Sequence, residues 1–178
     1  MYHKRKNDEL KAVRPTLEEV MGIPRLPISF LVENIRSVHN VGAIFRTADG
    51  IGAEKLYLAG YTAYPPRQDL KKVSLGAEES VPWEHFENPM DAIKIIKSKG
   101  ISIIALEQTR ISKSIYDFNW KFPICIILGN EVKGVSEDLL NVSDDCFEIP
   151  MKGIKQSLNV SVAAGVVGYE IARVCQCQ

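Results

Sequence analysis

An α/β fold, built on a mostly parallel sheet with helices on both faces, is predicted by three features of this 178-residue chain. From residue 28 onward, short apolar runs alternate with helical patterns, the arrangement of parallel sheets. Residues 123–128 are almost wholly apolar, as a central strand covered on both faces should be. Finally, two late segments each run from a strand through a Gly- and polar-rich loop into a helix. They are Leu128-Gly129-Asn130-Glu131-Val132-Lys133-Gly134-Val135-Ser136 and Ile149-Pro150-Met151-Lys152-Gly153-Ile154-Lys155-Gln156-Ser157-Leu158-Asn159-Val160-Ser161. Such junctions aim backbone N–H groups at a ligand, and two of them can wall one pocket.

Taken in order, residues 1–27 form a short polar extension. Within it Thr16 and Glu19 make a capping box for a brief helix over 16–21. The basic start at Lys4, Arg5 and Lys6 is either a solvated tail or an arm that touches RNA. A single domain follows over 28–178. Residues 28–32 are a strand, and 40–52 a helix capped by Asn40 and stopped near Gly50 or Gly52. Residues 55–59 form the next strand, and 60–72, with Tyr64-Pro65-Pro66, a loop. The 3.6-residue spacing of Met90, Ile93 and Ile96 predicts a helix over 89–99, ended by Gly100. Strands are expected over 101–106, 123–128 and 146–149, with a loop up to Phe122 and a short helix opened by Ser136 over 136–142. The last helix, 157–175, is apolar nearly all round. It is therefore either a central core helix or a contact between two copies of the chain.

Bulk properties narrow the function. The hydrophobic fraction, 46%, supports a real core. The charge is balanced at 22 basic and 22 acidic residues, so any nucleic-acid affinity must come from a local patch. No apolar run approaches the ~18 residues that span a membrane, and the polar N-terminus lacks a secretory h-region. Cys125, Cys146, Cys175 and Cys177 have no zinc-site spacing, and a chain of this size needs no disulfide framework. A reduced, cytoplasmic protein without metal or membrane association is expected.

Three polar clusters stand where packing alone would not ask for them. In the first, residues 34–48, Asn40 is an N-cap or a site residue. Arg46, among Ala43, Ile44, Phe45 and Ala48, is either a structural ion pair or a site group whose guanidinium leans back toward the Asn40 turn. Glu131 is a carboxylate such a guanidinium could meet. Arg36 is a plausible phosphate contact, and His39 a surface-loop histidine. In the second cluster Gly129 and Gly134 flank Glu131, which suggests a tight loop approached by a ligand. In the third, Ser157 serves as N-cap, and Asn159, one turn in, faces a substrate while Leu158 faces a cofactor ring. No G-x-G-x-x-G or G-x-x-x-x-G-K-[ST] loop is present, which argues against nucleotide hydrolysis and a conventional dinucleotide fold.

In this order, the three clusters resemble the three motifs of the SpoU (TrmH-like) branch of the SPOUT RNA methyltransferases, over roughly residues 28–173. That resemblance implies a deep C-terminal trefoil knot and a homodimer joined through the last helix. It implies S-adenosylmethionine as cofactor, held by Leu106, Gly129, Asn130, Ile149, Met151 and Leu158. The implied reaction is methyl transfer to a ribose 2′-hydroxyl of structured RNA, tRNA rather than rRNA, with Asn40, Arg46, Glu131, Ser157 and Asn159 as the catalytic set. Arg36, Arg46, Lys71 and Lys72 are the expected RNA contacts, with Arg67 beside them. Val132 departs from the small residue many members carry there. The alternative is a non-catalytic RNA-binding protein that retains the fold.

Overall fold

Seven parallel strands, in the order β3-β2-β1-β6-β4-β7-β5, form the sheet of the computed structural model, which describes residues 2–177. Along the chain come α1 (Asn7–Ala12), α2 (Leu17–Gly22), β1 (Leu26–Glu33), α3 (Val38–Ile51), β2 (Ala53–Ala59), α4 (Gln68–Ser74), α5 (Ala77–Ser80) and β3 (Trp83–Phe86). Then follow α6 (Pro89–Ser98), β4 (Ser102–Leu106), β5 (Lys113–Ser114), β6 (Ile124–Leu128), α7 (Glu137–Val142), β7 (Asp145–Glu148) and α8 (Val160–Gln176).

Side-chain alternation along β1 builds two cores. Ile28, Phe30 and Val32 face one way, against α3 and α8; Leu31 faces the other, toward Ile93 and Ile96 of α6 and Leu139 of α7. With helices on both faces, every residue of β6 is buried, as its apolar run requires. β6 lies between β1 and β4, so β4 is laid down one strand-width away from β1 and the gap is filled later in the chain.

Several boundaries differ from expectation. Asn40 is not the cap of α3: Ser37 is, and its hydroxyl accepts the Asn40 amide at 3.4 Å, which leaves the Asn40 side chain free for other bonds. Gly52, at φ 66°, ends that helix as anticipated. Ser157 likewise caps nothing. The last helix starts at Val160 with Asn159 as N-cap, accepting from the amides of Ser161 (2.9 Å) and Val162 (3.4 Å). The loop expected over 60–72 ends early because α4 begins at Gln68. Four short elements, α1, α5, β3 and β5, lack a periodic signal long enough to read. The Thr16–Glu19 capping box of α2 is present.

Gly168 lets α8 sit close to α3 and β1: a Cβ there would lie 3.2 Å from Ile51 and 3.4 Å from Phe30. Only one side of α8 is covered in this way. Val162, Val166 and Tyr169, at one-turn spacing, are 52%, 39% and 59% exposed. Among the described residues no helix is long and apolar enough to cross a membrane, no group of three or more His, Cys, Asp or Glu could hold a metal, and all four cysteines are free.

Candidate active site

The strands β4, β6 and β7 end side by side, and a cavity of about 560 Å³ opens above them. Leu106 and Glu107 form one wall, the loop after β6 another, and residues 149–160 the third. Of the expected cofactor-binding residues, Leu106, Gly129, Asn130, Ile149, Met151 and Leu158 all line it. So do Glu131, Ser157 and Asn159 of the expected catalytic set, whereas Asn40 and Arg46 do not.

The loop after β6 is folded tightly on itself. Asn130 and Gly134 exchange backbone hydrogen bonds (3.0 and 2.9 Å), and the Asn130 Oδ1 accepts the amides of Val132 (2.9 Å) and Lys133 (3.0 Å). Gly134 has φ 71°, and a Cβ on Gly129 would collide with the backbone of Gly134 and Val135, so both glycines are demanded by backbone geometry. The Asn130 Nδ2 donates to the Asn34 carbonyl (2.7 Å) and the Tyr61 hydroxyl (2.9 Å). Its polar atoms are thus spent on holding the loop.

Glu131 reaches out of this loop to the first cluster. Its carboxylate accepts from the amides of Arg36 and Ser37, both at 3.1 Å, and from the Asn40 Nδ2 at 2.9 Å. The Asn40 Oδ1 in turn accepts the Asn159 Nδ2 at 3.1 Å. One run of side-chain hydrogen bonds, Glu131–Asn40–Asn159, therefore ties together all three sequence clusters. Partial burial pushes the Glu131 carboxyl up, but the two amides and the Asn40 carboxamide outweigh it and hold the group below its ordinary value.

Arg46 stands apart. It is exposed on α3 and makes no ion pair among the described residues, so the expected meeting with Glu131 is not made within the chain. It lies one turn before Gly50, which packs under the Tyr169 hydroxyl, and so flanks the uncovered side of α8. Ser157 is exposed at the cavity wall. Arg36, His39, Lys72 and Lys133 are exposed; Lys71 pairs with Glu79 at 2.8 Å and Arg67 with Asp69 at 2.6 Å.

Sequence reasoning missed three carboxylate and amide groups. Glu107 lines the cavity and accepts the amides of Gln108 (2.8 Å) and Val135 (2.9 Å). Buried Glu33 accepts the Ser136 amide at 3.0 Å. Gln108 donates from its side chain to the Gln156 carbonyl, bridging two walls. The available signal was a carboxylate at the carboxyl end of an apolar strand, in β1 and just after β4.

The model of the SpoU rRNA Methylase family matches residues 27–169. The chain belongs to this family. A tRNA (guanosine(18)-2′-O)-methyltransferase of Aquifex aeolicus is 32% identical over 158 residues, 88% of this chain and 74% of that protein. The crystal structure of the A. aeolicus TrmH/SpoU tRNA modifying enzyme superposes with a TM-score of 0.79 at 30% identity, covering 93% of this chain and 82% of its own. The SpoU methyltransferase AviRb of Streptomyces viridochromogenes, in complex with AdoMet, gives 0.79 at 25% identity, with 90% and 65% covered. The SpoU match spans the cavity walls and the Glu131–Asn40–Asn159 run alike.

Proposed function

We propose that the protein is an RNA ribose 2′-O-methyltransferase that uses S-adenosylmethionine and acts on tRNA. The observation that carries this reading is the hydrogen-bonded run Glu131–Asn40–Asn159 at the wall of the 560 Å³ cavity, in a chain of the SpoU family. The tRNA preference follows the relative from A. aeolicus.

The cavity suits the cofactor. Its volume lies within the ~300–1,000 Å³ of small-molecule sites, and half-buried Leu106, Ile149, Met151 and Leu158 offer apolar surface for a flat base and a sulfonium. The cofactor supplies a methyl group already activated on sulfur. The chain has to align the 2′-oxygen with it and assist loss of one proton; alignment alone is worth ~7–11 kcal/mol. Asn40 and Asn159 are positioning residues locked by Glu131, which orders the Arg36–Ser37 turn rather than Arg46. The exposed Ser157 hydroxyl is available to the substrate. Arg46 binds the adjacent phosphate and the developing alkoxide electrostatically, since a guanidinium stays protonated in proteins. With Lys72 and Arg36 it supplies the cationic contacts; Lys71 must first leave Glu79.

Residues 28–178 are the catalytic domain in this reading, and 1–27 an extension. We further propose the trefoil knot. Its support is the path of the chain: after β7 it returns past the loop that follows β4, bonded there by Gln108 to Gln156, before α8 packs on α3. A homodimer over Val162, Val166 and Tyr169 is proposed because that apolar stripe is uncovered. The cytoplasm is the proposed compartment.

Mass mapping of nucleosides in tRNA from a strain lacking the gene, compared with its parent, tests the reading. Loss of one 2′-O-methylnucleoside is expected; an unchanged set refutes it. Calorimetry with S-adenosylmethionine separates an enzyme from a non-catalytic RNA binder, which need not bind the cofactor.

A further inference from the structure

A second hollow, of about 380 Å³, is lined by the loop after β2, between Gly60 and Arg67. It and the cofactor cavity are joined through one side chain: Asn130 lines the cavity, and its Nδ2 donates to the hydroxyl of Tyr61, which lines the hollow. That hydroxyl accepts in this bond and keeps its own hydrogen to donate.

Aromatic rings furnish the hollow. Tyr64 lies stacked on His85, with centroids 3.9 Å apart and planes 25° apart, and the Trp83 ring is tilted against Tyr64 with centroids 6.3 Å apart. The His85 Nε2–H donates to the Gly60 carbonyl at 2.8 Å, which fixes the lower member of the stack. His85 covers one face of Tyr64 but is not part of the hollow, so the hollow receives the rest of the phenol ring. Tyr64 is 42% exposed and Tyr61 62%. Two tyrosines held at the surface, one of them pre-stacked, form a platform already ordered for one more ring.

Charge says which ring. Net charge is zero; Arg67, the one cation among the described residues that line the hollow, pairs with Asp69, and Lys71 in the helix that follows pairs with Glu79. Phosphate attraction is thus weak here, and an RNA ligand needs a source of affinity that does not depend on counterion release. Base stacking is such a source, worth about 5- to 150-fold in affinity per base and open to any base. Structured RNAs offer unpaired loop bases for it.

We propose that this hollow takes a nucleobase of the RNA substrate, one flanking the methylated ribose, stacked on Tyr64 and hydrogen-bonded by the Tyr61 hydroxyl. This rests on the RNA methyltransferase reading and adds a subsite to it. The site selects RNA that can splay a loop base away from its neighbours.

The test uses the whole chain and bulk tRNA from a strain lacking the gene. Binding is measured with S-adenosylhomocysteine present, over a range of salt, for the wild type and for Tyr64→Phe, Tyr64→Leu and Tyr64→Ala. Thermal unfolding and S-adenosylhomocysteine affinity of each variant report its fold. Tyr64→Ala and Tyr64→Leu should weaken binding by about fivefold or more, while Tyr64→Phe stays within about twofold. The salt slope should not change, because no phosphate contact is removed; Arg36→Ala, by contrast, should lower it by about one. Equal affinity across the series overturns the proposal, as does Tyr64→Leu binding like the wild type, which would reduce the ring to apolar filling. If the wild type binds tRNA without methylating it, the enzymatic reading fails, and the Tyr64 comparison still decides the subsite. A wild type that binds no tRNA ends the subsite proposal.

Discussion

Glu131→Gln should cripple the candidate site without unfolding the protein. In the wild type one carboxylate oxygen accepts Arg36 N–H and the other accepts Ser37 N–H and Asn40 Nδ2–H. A glutamine has only one acceptor oxygen. In its least costly orientation the amide nitrogen faces Arg36, and that bond is lost. The other two bonds fall from charge-assisted to neutral, a difference of about 1 kcal/mol each. The gross loss is therefore about 3.5–5 kcal/mol. Glu131 is exposed, so water restores well over half, leaving about 1–2 kcal/mol of lost ordering in the 34–40 turn. If that ordering is needed in the transition state, turnover drops about 5- to 30-fold. The assay is transfer of tritiated methyl to tRNA from a strain lacking the gene, with hydrogen exchange at the Arg36 and Ser37 amides measured in parallel. pH supplies a second arm. The folded-state pKa of Glu131 lies below the ordinary 4.5, so the clasp's contribution is complete above pH 4.5 and is lost as pH falls through the lowered value. Protection of the two amides should hold through mild acid in the wild type, whereas in Glu131→Gln it should be lost at Arg36 and reduced at Ser37, with no dependence on pH. Turnover within twofold of wild type, together with unchanged protection, would refute the reasoning.

Three other perturbations have definite outcomes. Gly129→Ala forces a methyl group into the backbone of Gly134 and Val135, so calorimetry should find S-adenosylmethionine affinity reduced by about tenfold or more, a 1.4 kcal/mol effect. Asn159→Ala removes both the cap of α8 and the partner of Asn40; urea unfolding should register about 0.5–2 kcal/mol, and turnover should fall further than stability explains. Val166→Asp places a charge in the uncovered stripe of α8; under the proposed homodimer, sedimentation velocity should show a dimer for the wild type and a monomer for the variant.

Long periodic or continuous signals were legible in the chain, and side-chain bookkeeping at loop ends was not. The apolar runs of β1, β4 and β6 and the spacing along α6 report burial directly, so these elements lie within two residues of expectation. Asn40 reads as an N-cap or a site residue and Asn159 as a polar residue without a capping role, and the structure joins them. Their local roles were exchanged, however. Ser37 rather than Asn40 caps α3, and Asn159 rather than Ser157 caps α8, because any of these residue types can cap and only the backbone decides which is in place. Pairing Arg46 with Glu131 rests on the N-terminal lean of helical side chains, which brings a guanidinium back toward the Asn40 turn. Backbone amides from a turn 95 residues away took the carboxylate instead. Glu33, Glu107 and Tyr61 escaped notice because each acts across the sheet edge on residues remote in sequence. The strands β3 and β5 are four and two residues long, too short to carry alternation.

The placement of β6 between β1 and β4 sets the timetable of synthesis. Phe30 pairs with Ile126, so the first strand leaves the ribosome with one flank bare and keeps it bare until most of the polypeptide has emerged. Contacts that distant make for sluggish maturation and a growing chain whose open border invites chaperones that shield strand edges.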